Sequence, residues 1–278
     1  MLWMVLCVLF GAGFGHTMRH AQVRQCGMAW VGACNYLFAA LASWAWLLLQ
    51  RGPGLTGEAA VLGTLCGLSY VGAYLAMDHA LRAAGVGVTQ SVQWLGVSLP
   101  VAASIFLWHE VPTTIQTAGL VLAFISLPLL ASGPSAPDAP RARWRAALLA
   151  GLFVLEGLVG LAMKVYSLRV PAGSEVPYLC FMFSGAAAGS IVVALRTARP
   201  GRGEMTHGVA MGVANVLCNF TFLRALALLP GTIVFPSVSA GSIALSVVLG
   251  ALLWHERHGL RAVIGLVLAA VALVAINM

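Results

Sequence analysis

The chain repeats part of its own apolar sequence at a fixed spacing of 146 residues. The Trp-His-Glu motif at 108–110 recurs at 254–256, and the Gly-Leu-Val-Leu-Ala motif at 119–123 recurs at 265–269. The matching register extends without a gap through 85–123. Chance seldom preserves one register over such a length, so we interpret the chain as two copies of one unit. Repeated apolar segments are typical of membrane carriers, in which two halves move around a shared site.

The composition excludes a water-soluble globule. Apolar residues make up 60% of the 278 and charged residues only 8%, with a mean hydropathy of +0.94, whereas about a quarter of the residues of soluble proteins are charged. The net charge of +7 comes from arginine, since Lys164 is the single lysine. The basic residues cluster between apolar segments, a pattern that favours lipid headgroups as partners and not nucleic acid.

The six cysteines are scattered through apolar segments without Cys-x-x-Cys spacing, and no histidines stand at metal-ligand intervals. We interpret the cysteines as packing residues, and we expect neither a metal nor another cofactor.

Ten segments are long and apolar enough to cross a bilayer, which takes roughly 20 residues of helix. The first begins at Met1 and lacks the basic start and cleavage site of a signal peptide, so we expect it to remain as a span. The segments are approximately 1–18, 28–49, 59–80, 86–108, 115–132, 146–166, 175–195, 206–228, 231–254 and 261–277.

A linker rich in Pro, Ser and Ala divides the chain. It predicts a first five-helix repeat at 1–132, a tether at 133–145 and a second five-helix repeat at 146–278. Because each repeat has an odd number of spans, the second must enter the membrane from the opposite side. The predicted fold is an all-α integral membrane protein of ten transmembrane helices in two inverted repeats.

Small residues within the spans predict close helix packing. Gly11, Gly13 and Gly15 share the first span, and Gly185 and Gly189 stand four residues apart in the seventh. Glycine at such spacing lets helix backbones approach each other in a membrane. The first triplet is not interpreted as a nucleotide-binding loop, because no strand precedes it.

The basic residues are distributed unequally between the two sides of the predicted membrane. Four lie in the even-numbered loops and nearby span ends, and eleven lie in the odd-numbered loops. By the positive-inside rule, this bias predicts that both termini face outward. The four are Arg51, Lys164, Arg169 and Arg224; the eleven are Arg19, Arg24, Arg82, Arg141, Arg143, Arg145, Arg196, Arg199, Arg202, Arg257 and Arg261.

Over nearly its whole length the chain resembles the drug/metabolite transporter superfamily, in its ten-span EamA-type branch. The resemblance is strongest from Ala80 to Pro100 and from Trp108 to Gly119, and in the matching stretches 225–231 and 254–265. A Gly-rich first helix ending in a basic residue is also similar, and it ends at Arg19 in the first repeat and Lys164 in the second.

The resemblance implies a secondary carrier for small organic solutes, with a central cavity lined by helices of both repeats. It also implies termini in the cytoplasm, opposite to the charge bias, and the two expectations stay open. We expect a multi-pass protein of a bacterial inner membrane. Ten spans can enclose a cavity alone, which favours a monomer.

Glu156 is the sharpest single signal for transport chemistry, because it lies halfway along the predicted sixth span. An ionised group there is costly unless it faces partners or water, so we interpret Glu156 as a substrate-binding and proton-coupling candidate, with a structural hydrogen-bonded carboxyl as the alternative. Lys164, about two turns further on, is either a rim group for an anion or an interfacial anchor. Arg19 carries the same two interpretations, with the anchor favoured.

Two polar pairs at helical spacing are candidates for contact with a solute. Tyr70 and Tyr74 lie one turn apart in the third span, and Asn215 and Asn219 repeat that spacing in the eighth, with Phe222 continuing the row. Amides inside a membrane need partners, which are either neighbouring helices or the solute.

Gln90, Gln93 and Trp94 share a face of the predicted fourth span, and Ser239 is the counterpart of Gln93 in the second repeat. We expect Gln93 and Ser239 to meet near the bilayer centre. A cavity of amides, hydroxyls and aromatic rings suits a polar organic solute with an apolar part, such as an amino acid. A packing role for Trp94 is the alternative.

Charged residues near span ends are interpreted as gate, rim or structural groups. Asp78 and Arg224 hold matching places in the two repeats, and inversion makes a direct pair between them unlikely to form. His16 is interpreted as an interfacial histidine. Glu110 and Glu256 are expected to accept hydrogen bonds from the start of the next helix.

Three function classes remain in competition. A secondary carrier of a small polar metabolite, with export favoured, agrees best with the repeat and Glu156. The alternatives within transport are an importer of a sugar or other metabolite and an uncoupled facilitator. A channel or a purely structural membrane protein is another class. An intramembrane enzyme would need a nucleophile with its base or a metal set, and the Trp-His-Glu sites lack the second histidine of such a set, so we do not expect an enzyme.

Overall fold

A computed structural model describes residues 1–50, 54–84, 92–93, 96–130, 142–170, 175–254, 260–276 and 278. These residues form ten helices and contain no strand. The helices are α1 (Leu2–Val23), α2 (Met28–Gln50), α3 (Gly57–Ala84), α4 (Ser98–Phe106), α5 (Thr114–Leu130), α6 (Ala142–Arg169), α7 (Glu175–Ala194), α8 (Arg202–Leu228), α9 (Gly231–Trp254) and α10 (Leu260–Ile276).

Six helical segments in the described part of the chain are long and apolar enough to cross a membrane. The protein is therefore all-helical in its described residues, and its helices are those of a multi-pass membrane protein. Two shorter apolar stretches lie at Thr114–Ser126 and Val263–Ile276. The full set of ten spans and the inverted orientation of the repeats remain predictions. The six segments are α1, α2, α7 and α8 together with Gly57–Met77 of α3 and Trp144–Arg169 of α6.

Large apolar side chains cover the outer surface of these helices. On α2, for example, Leu41, Leu48 and Leu49 are exposed, Leu49 to 84%. Soluble proteins seldom expose continuous apolar surface on this scale, because water would solvate it poorly. Hydrocarbon is the solvent that such a surface fits.

The described chain divides into two compact units, each assembled from separate stretches of sequence. The first unit contains Met1–Val71 and Ala162–Leu228, and the second contains Gly72–Leu161 and Leu229–Met278. The first unit thus includes α1, α2, α7 and α8, while the second includes α4, α5, α9 and α10. Each unit draws helices from both sides of the 133–145 linker. The units are a spatial division, and the division into repeats at 1–132 and 146–278 stays a prediction from sequence.

Close helix contacts in the first unit depend on glycine. Gly67 of α3 lies against the backbone of α7 at Met182 and Ala186, where an added Cβ would stand 2.9 Å from the nitrogen of Ala186. Gly208 and Gly212 of α8 lie in the same way against α2. Any side chain at these positions would push the two helices apart, so the glycines set the helix spacing.

The predicted glycine motifs have different outcomes. Gly185 and Gly189 of α7 do pack against α3, at Thr64 and Val71. For Gly13, by contrast, an added Cβ would meet no described atom within 4 Å, and the same holds for Gly15. The prediction of close packing is therefore wrong for these two positions, because they lie on a face of α1 that no described helix approaches.

In the second unit, α10 packs along α5, and α9 contacts α4, α5 and α10. Gly119 of α5 makes the first of these contacts close, since an added Cβ would lie 2.9 Å from the backbone nitrogen of Ile276. The 146-residue repeat matches α5 to α10 and α4 to α9 in sequence. Within this unit, equivalent helices of the two predicted copies therefore pack directly on each other.

The first Trp-His-Glu motif ends α4 and holds the start of α9. His109 has a left-handed φ of 52°, and the N–H of Glu110 then donates to the Ser104 carbonyl over 3.0 Å. The Glu110 carboxylate accepts a 3.1 Å hydrogen bond from the backbone N–H of Thr232, in the first turn of α9. The predicted structural role is correct, but the helix is not the next one in sequence. Glu256 lies outside the described residues.

Candidate functional site

Four polar side chains of the first unit are joined in one row of hydrogen bonds across three helices. The Tyr70 hydroxyl of α3 donates to Oδ1 of Asn219 on α8 over 2.8 Å. Nδ2 of Asn219 donates to Oδ1 of Asn215 over 2.7 Å, and Nδ2 of Asn215 donates to Oδ1 of Asn35 on α2 over 3.2 Å. We call Asn35, Tyr70, Asn215 and Asn219 the amide row.

The amide row is buried and incompletely paired. Asn35, Asn215 and Asn219 are each no more than 5% exposed. The Asn35 amide nitrogen has no hydrogen-bond partner among the described residues. Because an unpaired buried amide is costly, the row has a donor that remains to be satisfied.

Helix geometry explains how α8 supplies the centre of the row. Asn215 and Asn219 are four residues apart and so lie on one face of α8. Gly208 and Gly212 of the same helix allow α2 to approach closely, which brings Asn35 within reach of Asn215. The sequence identified Tyr70, Asn215 and Asn219 as candidates but missed Asn35, although an amide in an apolar span was a signal that could have found it.

Tyr36 extends the polar region on α2. Its ring meets that of Tyr70 edge to face, with centroids 6.3 Å apart. Tyr74, predicted together with Tyr70, belongs to the second unit and is half-buried. The structure therefore divides the predicted tyrosine pair between the two units.

A buried acid and a partly buried base form an ion pair elsewhere in the first unit. Arg224 Nη1 of α8 lies 3.4 Å from Glu175 Oε1 of α7, with the Glu175 side chain only 6% exposed. The guanidinium also stands over the rings of Trp3 and Phe220, at 5.8 and 5.9 Å from their centroids. Glu175 was not among the predicted site residues, because an acidic residue at a helix start has an ordinary structural explanation.

The remaining charged and titratable candidates differ in how far their side chains are exposed. Lys164 is 1% exposed, so the interfacial anchor interpretation is wrong for it, because a snorkelling lysine keeps its ammonium accessible. Arg19 is exposed near the end of α1, as an anchor requires. His16 is half-buried, and the Asp78 side chain lies outside the described part of the chain.

Glu156 of α6 is paired within the second unit. Nε2 of Gln93 donates to Oε1 of Glu156 over 2.9 Å. Gly96 lies beside them, and a Cβ there would stand 2.8 Å from the Cβ of Glu156. Two residues that the sequence proposed separately therefore form one carboxyl–amide pair, and a glycine makes room for it.

Ser239 does not share a hydrogen bond with Gln93 in the described structure. Its buried hydroxyl donates to the Phe235 carbonyl of its own helix over 2.8 Å, while Gln93 donates to Glu156. The expected approach of these two side chains near the bilayer centre stays a prediction. Gln90 and Trp94 lie outside the described residues.

An apolar hollow lies in the described part of the second unit. The hollow, of about 470 Å³, lies beside the end of α10 and is lined by Ala270, Val271, Val274, Ala275 and Met278. Its lining has no group that could orient a polar solute. No set of three or more His, Cys, Asp or Glu side chains in the described part is arranged to hold a metal ion.

Comparison with known proteins supports the fold and leaves the activity unassigned. No family model matches the chain. An uncharacterized protein of Haemophilus influenzae is 26% identical over 196 residues, which are 69% of this chain and 66% of that protein. The chain therefore spans somewhat less than two thirds of the length of that relative. A protein of known crystal structure matches 98% of both chains with a TM-score of 0.77 and 18% identity, a likeness of fold alone.

Proposed function

We propose that this protein is a secondary active transporter that moves a small polar organic metabolite across a membrane. The observation that carries the proposal is the amide row, because it places three buried amides inside apolar helices and leaves one donor without a partner among the described residues. A protein that needed only to fold could fill these positions with apolar side chains at lower cost. A solute carbonyl or carboxylate would satisfy the Asn35 N–H.

The chemistry of the row favours an amino-acid-like solute. Amide and phenol groups can both donate and accept, so they suit a solute with several hydrogen-bonding groups. The Tyr36 and Tyr70 rings offer apolar surface for the rest of such a molecule. We propose export as its direction, and an importer of a sugar or related metabolite is the alternative on the same fold.

The Glu156–Gln93 pair supports proton coupling in this proposal. A glutamine amide has both donor and acceptor groups, so it can bond either to a carboxylate or to a protonated carboxyl group. Glu156 can therefore change protonation state without losing its partner. A cycle in which Glu156 carries a proton would couple the solute to a proton gradient.

We further propose that the ten helices form two inverted five-helix repeats, of the type found in the drug/metabolite transporter superfamily, in a bacterial inner membrane. Support comes from the 146-residue repeat and from the packing of α5 on α10 and α4 on α9, which are equivalent in that repeat. Such repeats enable alternating access around a central site.

The proposal is tested by solute flux into proteoliposomes. A panel of amino acids, sugars and organic acids is assayed with and without a pH gradient, for the wild type and for Glu156→Gln and Asn215→Leu. Ser69→Ala is the matched control, because its exposed hydroxyl donates to the Leu65 carbonyl of its own helix. We expect saturable flux that Asn215→Leu abolishes and that Glu156→Gln uncouples from the gradient.

Two results would contradict the proposal in different ways. Conductance that does not saturate would favour the channel alternative. Gradient-driven flux that persists in Glu156→Gln would remove Glu156 from the coupling step while leaving transport itself intact.

A further inference from the structure

Two histidines from distant parts of the sequence meet at the end of the first unit. Nδ1 of His20, near the end of α1, lies 2.7 Å from Nε2 of His207, in the second turn of α8. Their rings are stacked, with centroids 5.0 Å apart and planes at 29°. This contact lies apart from the amide row and has no part in the transport proposal.

The surrounding hydrogen bonds determine where the protons are. Nδ1 of His207 lies 2.7 Å from the carbonyl oxygen of Gly203, which only accepts, so this nitrogen must carry a hydrogen. In the neutral ring, Nε2 of His207 is then the acceptor, and Nδ1 of His20 is the donor. These hydrogen positions are assigned from the hydrogen-bond partners of the two rings.

One hydrogen between the two rings makes the contact, and a second would break it. The two rings together have four nitrogens, and the bonded pair has room for three hydrogens, because one is shared along the Nδ1–Nε2 line. If both rings were fully protonated, two N–H groups and two positive charges would face each other at this distance. The contact therefore tolerates one positive charge but not two.

We propose that His20 and His207 form a proton-sensitive clasp between the ends of α1 and α8, which opens when both rings are protonated. Opening takes up one proton, since the separated rings hold four hydrogens in place of three. By linkage, the form that binds more protons gains as the pH falls. The clasp is therefore closed at higher pH and is lost as the pH falls.

Charged and titratable groups of α8 and of the connection after α1 surround the clasp. From α8, the Glu204 carboxylate interacts electrostatically with His207, and from the connection after α1, Cys26 Sγ lies 3.9 Å from Nδ1 of His207. Arg24 is the nearby cation of the same connection. The Glu204 charge can offset one imidazolium charge, and the second proton would still add a positive charge to the pair.

A separate pair of hydrogen bonds keeps this region folded when the clasp opens. The two carboxylate oxygens of Glu204 accept hydrogen bonds from the backbone N–H of Gly27, over 3.0 Å, and of Gly201, over 2.9 Å. Neither of these hydrogen bonds involves a histidine. Opening the clasp is therefore a local movement of the ends of α1 and α8, and not unfolding of the unit.

Hydrogen–deuterium exchange in lipid nanodiscs tests the clasp without relying on transport. Exchange is followed between about pH 7.5 and about pH 5.5, on either side of the histidine range, after correction for the intrinsic rate. If opening takes up one proton, protection at the end of α1 and the start of α8 falls by up to about tenfold per pH unit below that range.

The variants separate the clasp from other causes. In His207→Gln, the glutamine oxygen still accepts from His20 but does not titrate, so the pH dependence should disappear. His20→Gln is a second variant with the same expectation, in case the first does not fold. His79→Gln is the control, because His79 is exposed and its Nδ1 contacts the Leu75 carbonyl of its own helix, and it should behave as wild type.

The proposal is overturned if the wild type shows no pH dependence at these two segments, or if both glutamine variants retain it. It is also overturned if a chelator removes the effect, because a bound metal and not a proton would then join the rings. A pH dependence that is abolished by either variant and unaffected by chelator is the expected result.

Discussion

Replacing Asn215 by leucine should destabilise the first unit, and a second replacement should restore part of the loss. Asn215→Leu removes the bond to Asn35 and the side-chain acceptor of Asn219. Hydrogen bonds between membrane helices average about 0.6 kcal/mol, and an orphaned buried amide costs about 1–3 kcal/mol. Because Asn35 loses its partner, we expect the free energy of unfolding to fall by about 2–4 kcal/mol.

The double variant Asn35→Leu/Asn215→Leu provides the decisive comparison. Replacing both partners by apolar groups leaves no orphan at position 35, and Asn219 keeps the backbone carbonyl of residue 215 as an acceptor. The double variant should therefore be more stable than Asn215→Leu alone by about 1–3 kcal/mol. Unfolding by SDS in mixed micelles, followed by tryptophan fluorescence, measures the difference. Val213→Leu, on an exposed part of α8, is the control and should change stability by less than about 0.5 kcal/mol.

A double variant whose loss equals the sum of the two single losses would refute the reasoning, because the two amides would then not interact. Transport adds an independent criterion. If the amide row binds the solute, the double variant should remain inactive even where its stability recovers, since its donors are gone.

Three further predictions concern packing, charge and thiol chemistry. Gly67→Ala should lower the free energy of unfolding by about 1–3 kcal/mol or more through overpacking. Gly15→Ala places its methyl group in open space and should be neutral or stabilising by up to about 1 kcal/mol. The midpoint of unfolding by SDS distinguishes the two variants. Arg224→Gln leaves the Glu175 carboxylate buried without its cation and should lower the free energy of unfolding by up to about 3 kcal/mol. This loss is smaller than for a fully buried ion pair, because the arginine is partly exposed. Adding Glu175→Gln should recover part of the loss in the same assay. Burial, and then the negative charge of a nearby glutamate, raise the pKa of the Cys26 thiol. In a variant that keeps only this cysteine, maleimide labelling at neutral pH should therefore be slower than for a small free thiol. The labelling rate should rise about tenfold per pH unit up to about pH 9, because the thiolate is the reactive form.

The helices and the membrane class could be predicted because both depend on local sequence. A run of apolar residues with few charges is sufficient to predict a helix in hydrocarbon, where the backbone must satisfy its own hydrogen bonds. The side chains of Asn215 and Asn219 could be identified for the same reason, since a polar residue within such a run is unusual. The expectation for Gly13 and Gly15 was wrong because helix spacing alone does not say which face meets a neighbour.

The partners of the polar residues could not be predicted in the same way. Glu156 was identified without Gln93 as its partner, and Arg224 without Glu175. In each case the two residues are far apart in sequence, and Arg224 and Glu175 lie on different helices. Similarly, Glu110 caps a helix that begins more than a hundred residues later.

The sequence by itself determined that the chain forms apolar helices, that the pattern of residues 85–123 recurs at 231–269, and that a few polar groups stand inside those helices. These properties follow from composition and periodicity, which act over a few turns. Only the tertiary structure decided which polar groups meet, because that depends on which helix faces come together. The amide row, the Glu156–Gln93 pair and the histidine clasp all arise from contacts that no local pattern specifies.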